Sequence, residues 1–475
     1  MIKLNRAAIR DKIHACWIGK NIGGTMGTPY EGQREIHDIQ GFSTPANVVL
    51  PNDDLDLQLV WLRAVEQHGP LAVNAALLGE YWVSFIPPHW NEYGIGKNNL
   101  RAGLLPPLSG EYKNDHWKNS NGAWIRTEIW ACMAPGCPDL AIKYAYEDAC
   151  VDHGAGEGTY AAMFVAAMES AAFVEHDIRR LIDIGLSKIP KDCHTARSIR
   201  LLLDCYEQGI DWKEARNRIV RDNEDLGWFQ APANVSYAML GMLYGEGDFK
   251  KSMILAINCG DDTDCTGATL GSLFGILNGT AGIPTDWSEH IGENIVTVAV
   301  NRGALSGIPA NCSELTDRVM RMIPVMLCSH NAPVSLTDDP DNIPETDTVC
   351  FGDTKVAEKL WAIPGRSVPY YFVWGSCRVI FTDQPEINPN GTVHIRLQIH
   401  NEINEPKYLN LRWHLPEGWT VSGSRKNYVL DSQASLELPI EIHASENTET
   451  INRVILEITA PGRPTVGLIP ITLIG

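Results

Sequence analysis

The sequence is poor in positive charge. Its 39 Lys and Arg face 58 Asp and Glu, and the resulting net charge of -19 excludes a general affinity for nucleic acid phosphates. No uninterrupted apolar run has the length that crosses a bilayer, so no membrane partner is expected. The start, MIKLNRAAIRDKIHACWIGK, carries charges throughout and has no apolar signal core. Cysteine occurs at 12 positions, but never as Cys-x-x-Cys and never with a Cys/His zinc spacing. Most of these cysteines lie before residue 331 in helical-looking sequence, the pattern of reduced, buried thiols in a cytoplasmic protein. Gly-x-Ser-x-Gly, P-loop and Rossmann fingerprints are also missing, which sets aside elbow-type hydrolases, NTPases and dehydrogenases.

What is present divides into two textures, and 475 residues leave room for two or three domains. Up to about residue 330 the apolar period is helical, as in Ile9, Ile13 and Cys16/Trp17, or Leu55, Leu59 and Leu62. The stretch GTYAAMFVAAMESAAFVEH is nearly all small or apolar and predicts a central buried helix. Residues 1–330 therefore read as one large all-α domain. From 331 a Pro- and Asp-rich linker leads into period-two alternation. Val393, Ile395, Leu397 and Ile399 form one such run, and Leu436, Leu438, Ile440 and Ile442 another, separated by turn signals such as NPNG and LPEG. Residues 331–475 thus read as a linker and an all-β sandwich of immunoglobulin or fibronectin type, a packing or spacing module.

Two short stretches concentrate acid. NCGDDTDCTGATLGSLFGILNG places Asp261, Asp262 and Asp264 within four positions at a helix start, followed by Gly267, Gly271, Gly275 and Gly279. One Asp caps a helix and a second interacts well with its dipole, but a third adds repulsion for little return. Clustered carboxylates suit a hard divalent cation. Glycines four apart share one helix face, so a neighbouring backbone can approach closely and fix the acidic loop at the helix head. PNDDLDLQLVWLRAVEQHG is the second acidic start, with Asn52 as cap and Asp53, Asp54 and Asp56 in its first turn. Packed together, the two heads would suit a binuclear centre. GGTMGTPYEG, a small-residue loop ending at Glu31, supplies a further carboxylate.

In this order the pieces resemble the ADP-ribosylglycohydrolase family, the relatives of dinitrogenase reductase-activating glycohydrolase, over roughly residues 8 to 300. The resemblance implies an all-α fold, two Mg²⁺ or Mn²⁺ ions, and metal-dependent hydrolysis of an N- or O-glycosyl bond at the ribose C1. Glu31 matches the acidic residue closing the family's first loop, and Asp53 and Asp54 match the pair in its Thr-Asp-Asp-Thr motif. Asp262 and Asp264 match the two Asp of its Gly-Gly-Asp-Thr-Asp-Thr motif. The implied catalytic residues are Glu31 and Asp54, and the implied metal set is Asn52, Asp53, Asp54, Asp262, Asp264 and Cys265. NSNGAWIR resembles the family's Asn-Gly-Ala loop by the substrate and VDHGAGEG its Asp/His motif, which implies substrate contacts from Asn121, Gly122, Trp124, Asp152 and His153.

The chain departs from the pattern where Asn52 and Cys265 replace threonines, Leu55 replaces the second Thr of the early motif, and Asp261 replaces a glycine. A thiol is a softer ligand than a hydroxyl. The segment 86–130 carries Trp90, Tyr93, Tyr112, Trp117, Trp124 and Trp130, whose faces suit a sugar or an adenine; about half of the Trp are expected to be core. His116 and Arg126 carry weaker signals. The expected substrate is a small-molecule or ADP-ribosylated furanoside. Three alternatives stay open: a non-catalytic ADP-ribose or sugar binder, a glycoside hydrolase acting on a carbohydrate, and metal-free paired-carboxylate chemistry. The aglycone and oligomeric state leave no trace in the sequence.

Overall fold

A computed structural model describes residues 1–475. After a short strand, Asn5 caps helix α1 (Arg6–Gly27), its side-chain oxygen accepting from the Ala7 and Ala8 amides at 3.0 Å each. Helix α2 (Asp53–His68) is capped by Asn52, whose Oδ1 accepts from the Asp54 amide at 2.8 Å. The glycine-ladder helix spans Thr263–Asn278 and lies against α1. The reason for the ladder is direct: a Cβ at Gly271 or Gly19 would collide with the other's carbonyl, and Gly23 and Gly267 are placed the same way. Near the acidic end, a Cβ at Gly27 would meet the backbone joining Thr263 to Asp264. Most buried apolar residues of the helical part form one continuous core, which includes most of the helix Glu157–Ala171 read from the sequence as central. No helix is long and apolar enough to cross a membrane.

The C-terminal part is an antiparallel β-sandwich of the expected class. One sheet orders its strands Ser367–Phe372, Gly375–Phe381, Thr392–Asn401, Ser435–His443 and Thr420–Ser422. The other orders Gly467–Ile474, Ile451–Thr459, Lys407–His414 and Asn427–Leu430. Val393, Ile395, Leu397 and Ile399 are all buried, as period two requires.

Two features differ from the sequence reading. Residues 334–337, expected in the linker, pair in parallel with residues 2–5, and Phe351 and Ala357 join the helical core. The segment between residue 331 and Ser367 thus packs on the helices. Leu104, Leu108 and Tyr112, from the N-terminal half, are buried in the sandwich core. The Tyr112 hydroxyl donates to Glu386 at 2.6 Å, and the Thr472 hydroxyl donates to the Gly103 carbonyl at 3.0 Å. The Trp of the aromatic segment split evenly: Trp124 and Trp130 are buried, whereas Trp90 is exposed and Trp117 half-buried; Tyr93 and Tyr112 are both buried.

Candidate active site

The ladder helix and α2 bring their acidic heads together. One oxygen each of Asp54 and Asp264 and the sulfur of Cys265 lie within 4.8 Å of one another, as do single oxygens of Glu31, Asp262 and Asp264. Asp264 belongs to both groups. The acidic loop is held by Asp261, which sits at a φ of 71° in the left-handed region that glycine favours. There its backbone exchanges hydrogen bonds with the Glu31 loop: the Gly32 amide donates to the Asp261 carbonyl and the Asp261 amide to the Gln33 carbonyl, both at 2.8 Å. Asp261 is thus a backbone device, and its carboxylate accepts from the Phe229 amide at 3.1 Å. Asp56, third in the α2 cluster, also turns away and accepts from the Val298 amide at 2.6 Å and the Ala299 amide at 2.5 Å.

The remaining carboxylates are crowded and short of partners. Asp262 Oδ2 accepts from Asn121 at 2.6 Å, and Asp53 Oδ2 accepts from the Tyr93 hydroxyl at 2.8 Å. The Cys265 thiol donates to Asp54 Oδ1 at 3.3 Å. Asp54 Oδ2, Asp262 Oδ1 and Asp264 Oδ1 are buried and have no hydrogen-bond partner, although buried polar atoms rarely go unsatisfied. Burial and then the Asp264 charge hold the Asp262 carboxyl well above the usual range, and burial does the same to Asp54, against the pull of the Lys20 ammonium. The Asp264 charge, followed by burial and Asp53, pushes Glu31 up to about 8. Burial, followed by Asp262, raises the Cys265 thiol. Without a cation the cluster favours protons. The orphaned oxygens are the donor set a hard divalent cation takes, so the residues fit the ions the family resemblance implies.

The cluster opens into a cavity of about 560 Å³. Glu31, Asp53, Asp262, Asp264 and Cys265 line it on one side, and Asn121 and Gly122 on another. Asn52 and Asp54 lie behind this surface. The Asn52 oxygen is engaged as the α2 cap, and Gly24 leaves room for its amide. Trp124, Asp152 and His153, expected at the substrate, do not line the cavity; they support the wall. The Trp124 indole donates to Asn121 Oδ1 at 3.0 Å. Asp152 is paired with Arg126 at 2.8 Å, and Arg126 also holds the Gly122 carbonyl. His153 places Nδ1 2.9 Å from Asp152 and Nε2 3.1 Å from the Ser120 hydroxyl. These side chains fix the loop 120–122 from behind, which residue types alone do not reveal.

Sequence reasoning passed over Glu92 and Phe229, both on the cavity wall. Glu92 sits in the first turn of the helix Asn91–Ala102, where a Glu is ordinary, so only its neighbours in the aromatic segment hinted at it. Lys20 was also missed. It is buried in α1 and donates to the Ile125 carbonyl at 2.8 Å and to Glu128 at 2.7 Å.

No curated protein matches the chain. Among solved structures, it is similar to one described as an ADP-ribosylglycohydrolase-related protein complex. Identity there is 18%, the TM-score is 0.46, and the match covers 67% of this chain and 99% of that one. A FixG-related protein from Vibrio parahaemolyticus matches at 13% identity and a TM-score of 0.19, over 23% of this chain and 95% of that one. The ADP-ribosylglycohydrolase family itself matches residues 5–320, from the cap of α1 past both acidic heads. With the match spanning most of the chain and enclosing the whole carboxylate cluster, this chain belongs to the ADP-ribosylglycohydrolase family.

Proposed function

We propose that this chain is a metal-dependent hydrolase that cleaves the C1 glycosidic bond of an ADP-ribosyl or related furanosyl substrate. The observation that carries this reading is the set of orphaned, buried oxygens on Asp54, Asp262 and Asp264 beside a cavity that Glu31 also lines. Asp54, Asp264 and Cys265 would hold one divalent cation, Glu31, Asp262 and Asp264 the other, with Asp53 beside them. Cations there would supply positive charge that polarises a sugar diol and lowers the pKa of water.

The chain's own residues do the rest. Glu31 reaches the cavity from the loop after α1 and accepts the proton of the attacking water. The Tyr93 hydroxyl fixes the Asp53 carboxylate, and Asn121 fixes Asp262, so the acidic face keeps one shape as substrate enters. Negative charge along that face suits the oxocarbenium character that builds at C1 as the bond breaks. Gly122 and Asn121, braced from behind by Arg126 and Trp124, form the wall adjoining that face.

The test measures release of ADP-ribose from an ADP-ribosylated peptide and of 4-nitrophenol from an aryl ribofuranoside, with Mn²⁺ or with EDTA. Hydrolysis in Mn²⁺ that chelation abolishes reversibly is expected, and the two substrates separate ADP-ribose from simple furanoside specificity. Full activity in EDTA, with no metal found by elemental analysis, would overturn the metal-dependent reading. Tight binding of ADP-ribose without turnover of either substrate would make the chain a binder.

A further inference from the structure

Two carboxyls on the cavity belong to neither metal-type group: Asp53, which stands among the acidic heads and is held by Tyr93, and Glu92, which stands apart from them. Glu92 lines the cavity from the first turn of the helix Asn91–Ala102 and is the one acid of that helix. Its residue is only 6% exposed, and Oε2 has no hydrogen-bond partner. Space is reserved for the group: a Cβ at Gly122 would collide with Glu92 Oε1 and would stand 3.0 Å from Tyr93 Cε1. The residue before it, Asn91, has a φ of 35°, an uncommon backbone for a residue with a side chain, at the cavity rim. The Ser120 hydroxyl is near the carboxyl, yet Oε2 stays unpartnered beside the cavity, and buried polar atoms rarely go unsatisfied.

We propose that Glu92 is the catalytic acid that protonates the leaving group of the glycosidic bond. The assignment rests on the glycohydrolase reading above. The carboxyls of the cluster are committed to cations and to the attacking water. The departing atom needs a proton from elsewhere, because an alkoxide or a deprotonated amide is a poor leaving group. As the bond from C1 to the leaving atom breaks, its electron pair goes to that atom, which takes the proton from Glu92. Water adds its oxygen to C1 and gives its proton to Glu31. The net change is addition of one water across the bond, and solvent exchange returns Glu92 to its acid form and Glu31 to its base form.

The surroundings support an acid in this position. Burial pushes the Glu92 carboxyl up to about 7, with His153 opposing the rise and Asp152 adding to it. These two come from the helix Pro138–His153, packed behind Glu92. Tyr93 stands on its own helix, and Arg126 is committed to Asp148 and Asp152 at 2.9 and 2.8 Å. A carboxyl in this range is partly protonated at neutral pH and still acidic enough to transfer.

The experiment compares wild type with Glu92→Gln on 4-nitrophenyl and methyl ribofuranosides in saturating Mn²⁺. Nitrophenol leaves without help, whereas methanol needs a proton. Glu92→Gln should lower kcat/KM for the methyl glycoside by ~100-fold or more and for the nitrophenyl glycoside by less than ~10-fold. The alkaline limb of the methyl glycoside pH profile should disappear. Calorimetric Mn²⁺ affinity should match wild type, because Glu92 stands outside both cation groups. Glu92→Asp, which retracts the carboxyl by one methylene but keeps its charge, should show the same selectivity in milder form. Equal losses on both substrates, or an unchanged alkaline limb, would overturn the acid role and leave Glu92 as a sugar-binding group. If wild type hydrolyses neither glycoside nor an ADP-ribosylated peptide, the glycohydrolase reading falls and the acid role falls with it.

Discussion

Gly271→Ala tests how the site is assembled. The added Cβ would strike the Gly19 carbonyl and stand 3.0 Å from Met253 Cε. Met253 can yield, since it meets the new atom with the end of a flexible side chain. The Gly19 carbonyl cannot, because it is held in the backbone of α1. To restore ordinary contact the two helices must separate by roughly 1 Å. Overpacking of this kind costs about 3 kcal/mol at the upper end of its usual range. Replacing Gly by Ala in a helix returns about 1 kcal/mol through backbone entropy. A net loss of about 2 kcal/mol is therefore expected. The separation also moves Asp264, on the ladder helix, away from Glu31, on the loop that follows α1. Mn²⁺ affinity should fall with stability. Gly352→Ala is the control, because a Cβ there meets nothing within 4 Å; its effect should stay within about 0.5 kcal/mol. Urea unfolding followed by helical circular dichroism gives the stabilities, and calorimetry the metal affinity. If Gly271→Ala is as stable as wild type and binds Mn²⁺ equally well, close backbone contact does not position the acidic heads.

Asp262→Asn removes one charge from the crowded cluster. In EDTA it should melt at or above wild type, and in Mg²⁺ at a hundredfold excess over the dissociation constant wild type should gain ~3 kcal/mol and the variant much less; equal metal shifts would make Asp262 a cap only. The metal-free protein should lose stability as pH rises. Glu31 is pushed to about 8 and Asp56 and Glu92 to about 7, each above its unfolded value, so their contribution is complete below about pH 4 and lost between there and pH 8. A urea midpoint in EDTA that climbs from pH 5 to pH 8 would refute this. Cys265→Thr should tighten Mg²⁺ binding measured by calorimetry, because a hydroxyl is the better ligand for a hard ion; unchanged or weaker binding would mean that the Cys265 side chain is not a ligand.

The elements with strong periods were legible in the sequence. The helical period before residue 330, the glycine ladder and the alternation in 393–399 each encode a burial pattern that the fold reproduces. The convergence of the acidic heads was legible because two charge clusters at helix starts have few other reasons to exist. Side chains whose roles depend on depth were not. Asp152, His153 and Trp124 look like site residues by type, yet they stand one layer behind the wall, and no local pattern distinguishes a wall from its brace. The strand pair of residues 2–5 and 334–337 was missed because four residues are too few for a period and their partners lie at opposite ends of the helical part.

The sandwich is joined to the cavity through one chain of contacts. Leu104, Leu108 and Tyr112 are buried in its core, and the same segment is tied to the cavity wall from two sides. Asn99, on the helix that carries Glu92 in its first turn, donates to the Ser109 and Tyr112 carbonyls at 2.7 and 2.8 Å. Asn114 donates to the Asp152 carbonyl at 2.8 Å, next to the Arg126 pair that steadies Gly122. None of these contacts reaches α1, α2 or the ladder helix. Leu108→Ala should therefore separate the two halves of the site. Emptying a fully buried Leu position costs about 2–5 kcal/mol, here divided between the sandwich and the segment docked on it. The wall that carries Glu92 and Gly122 loosens, so KM for the nitrophenyl furanoside should rise several-fold. The wall touches the acidic heads only through Tyr93 on Asp53 and Asn121 on Asp262, so the Mn²⁺ dissociation constant should rise much less than KM. A rise in KM with a matching loss of metal affinity would mean that the sandwich supports the whole helical part. An unchanged KM would mean that residues 104–112 anchor the sandwich without shaping the cavity.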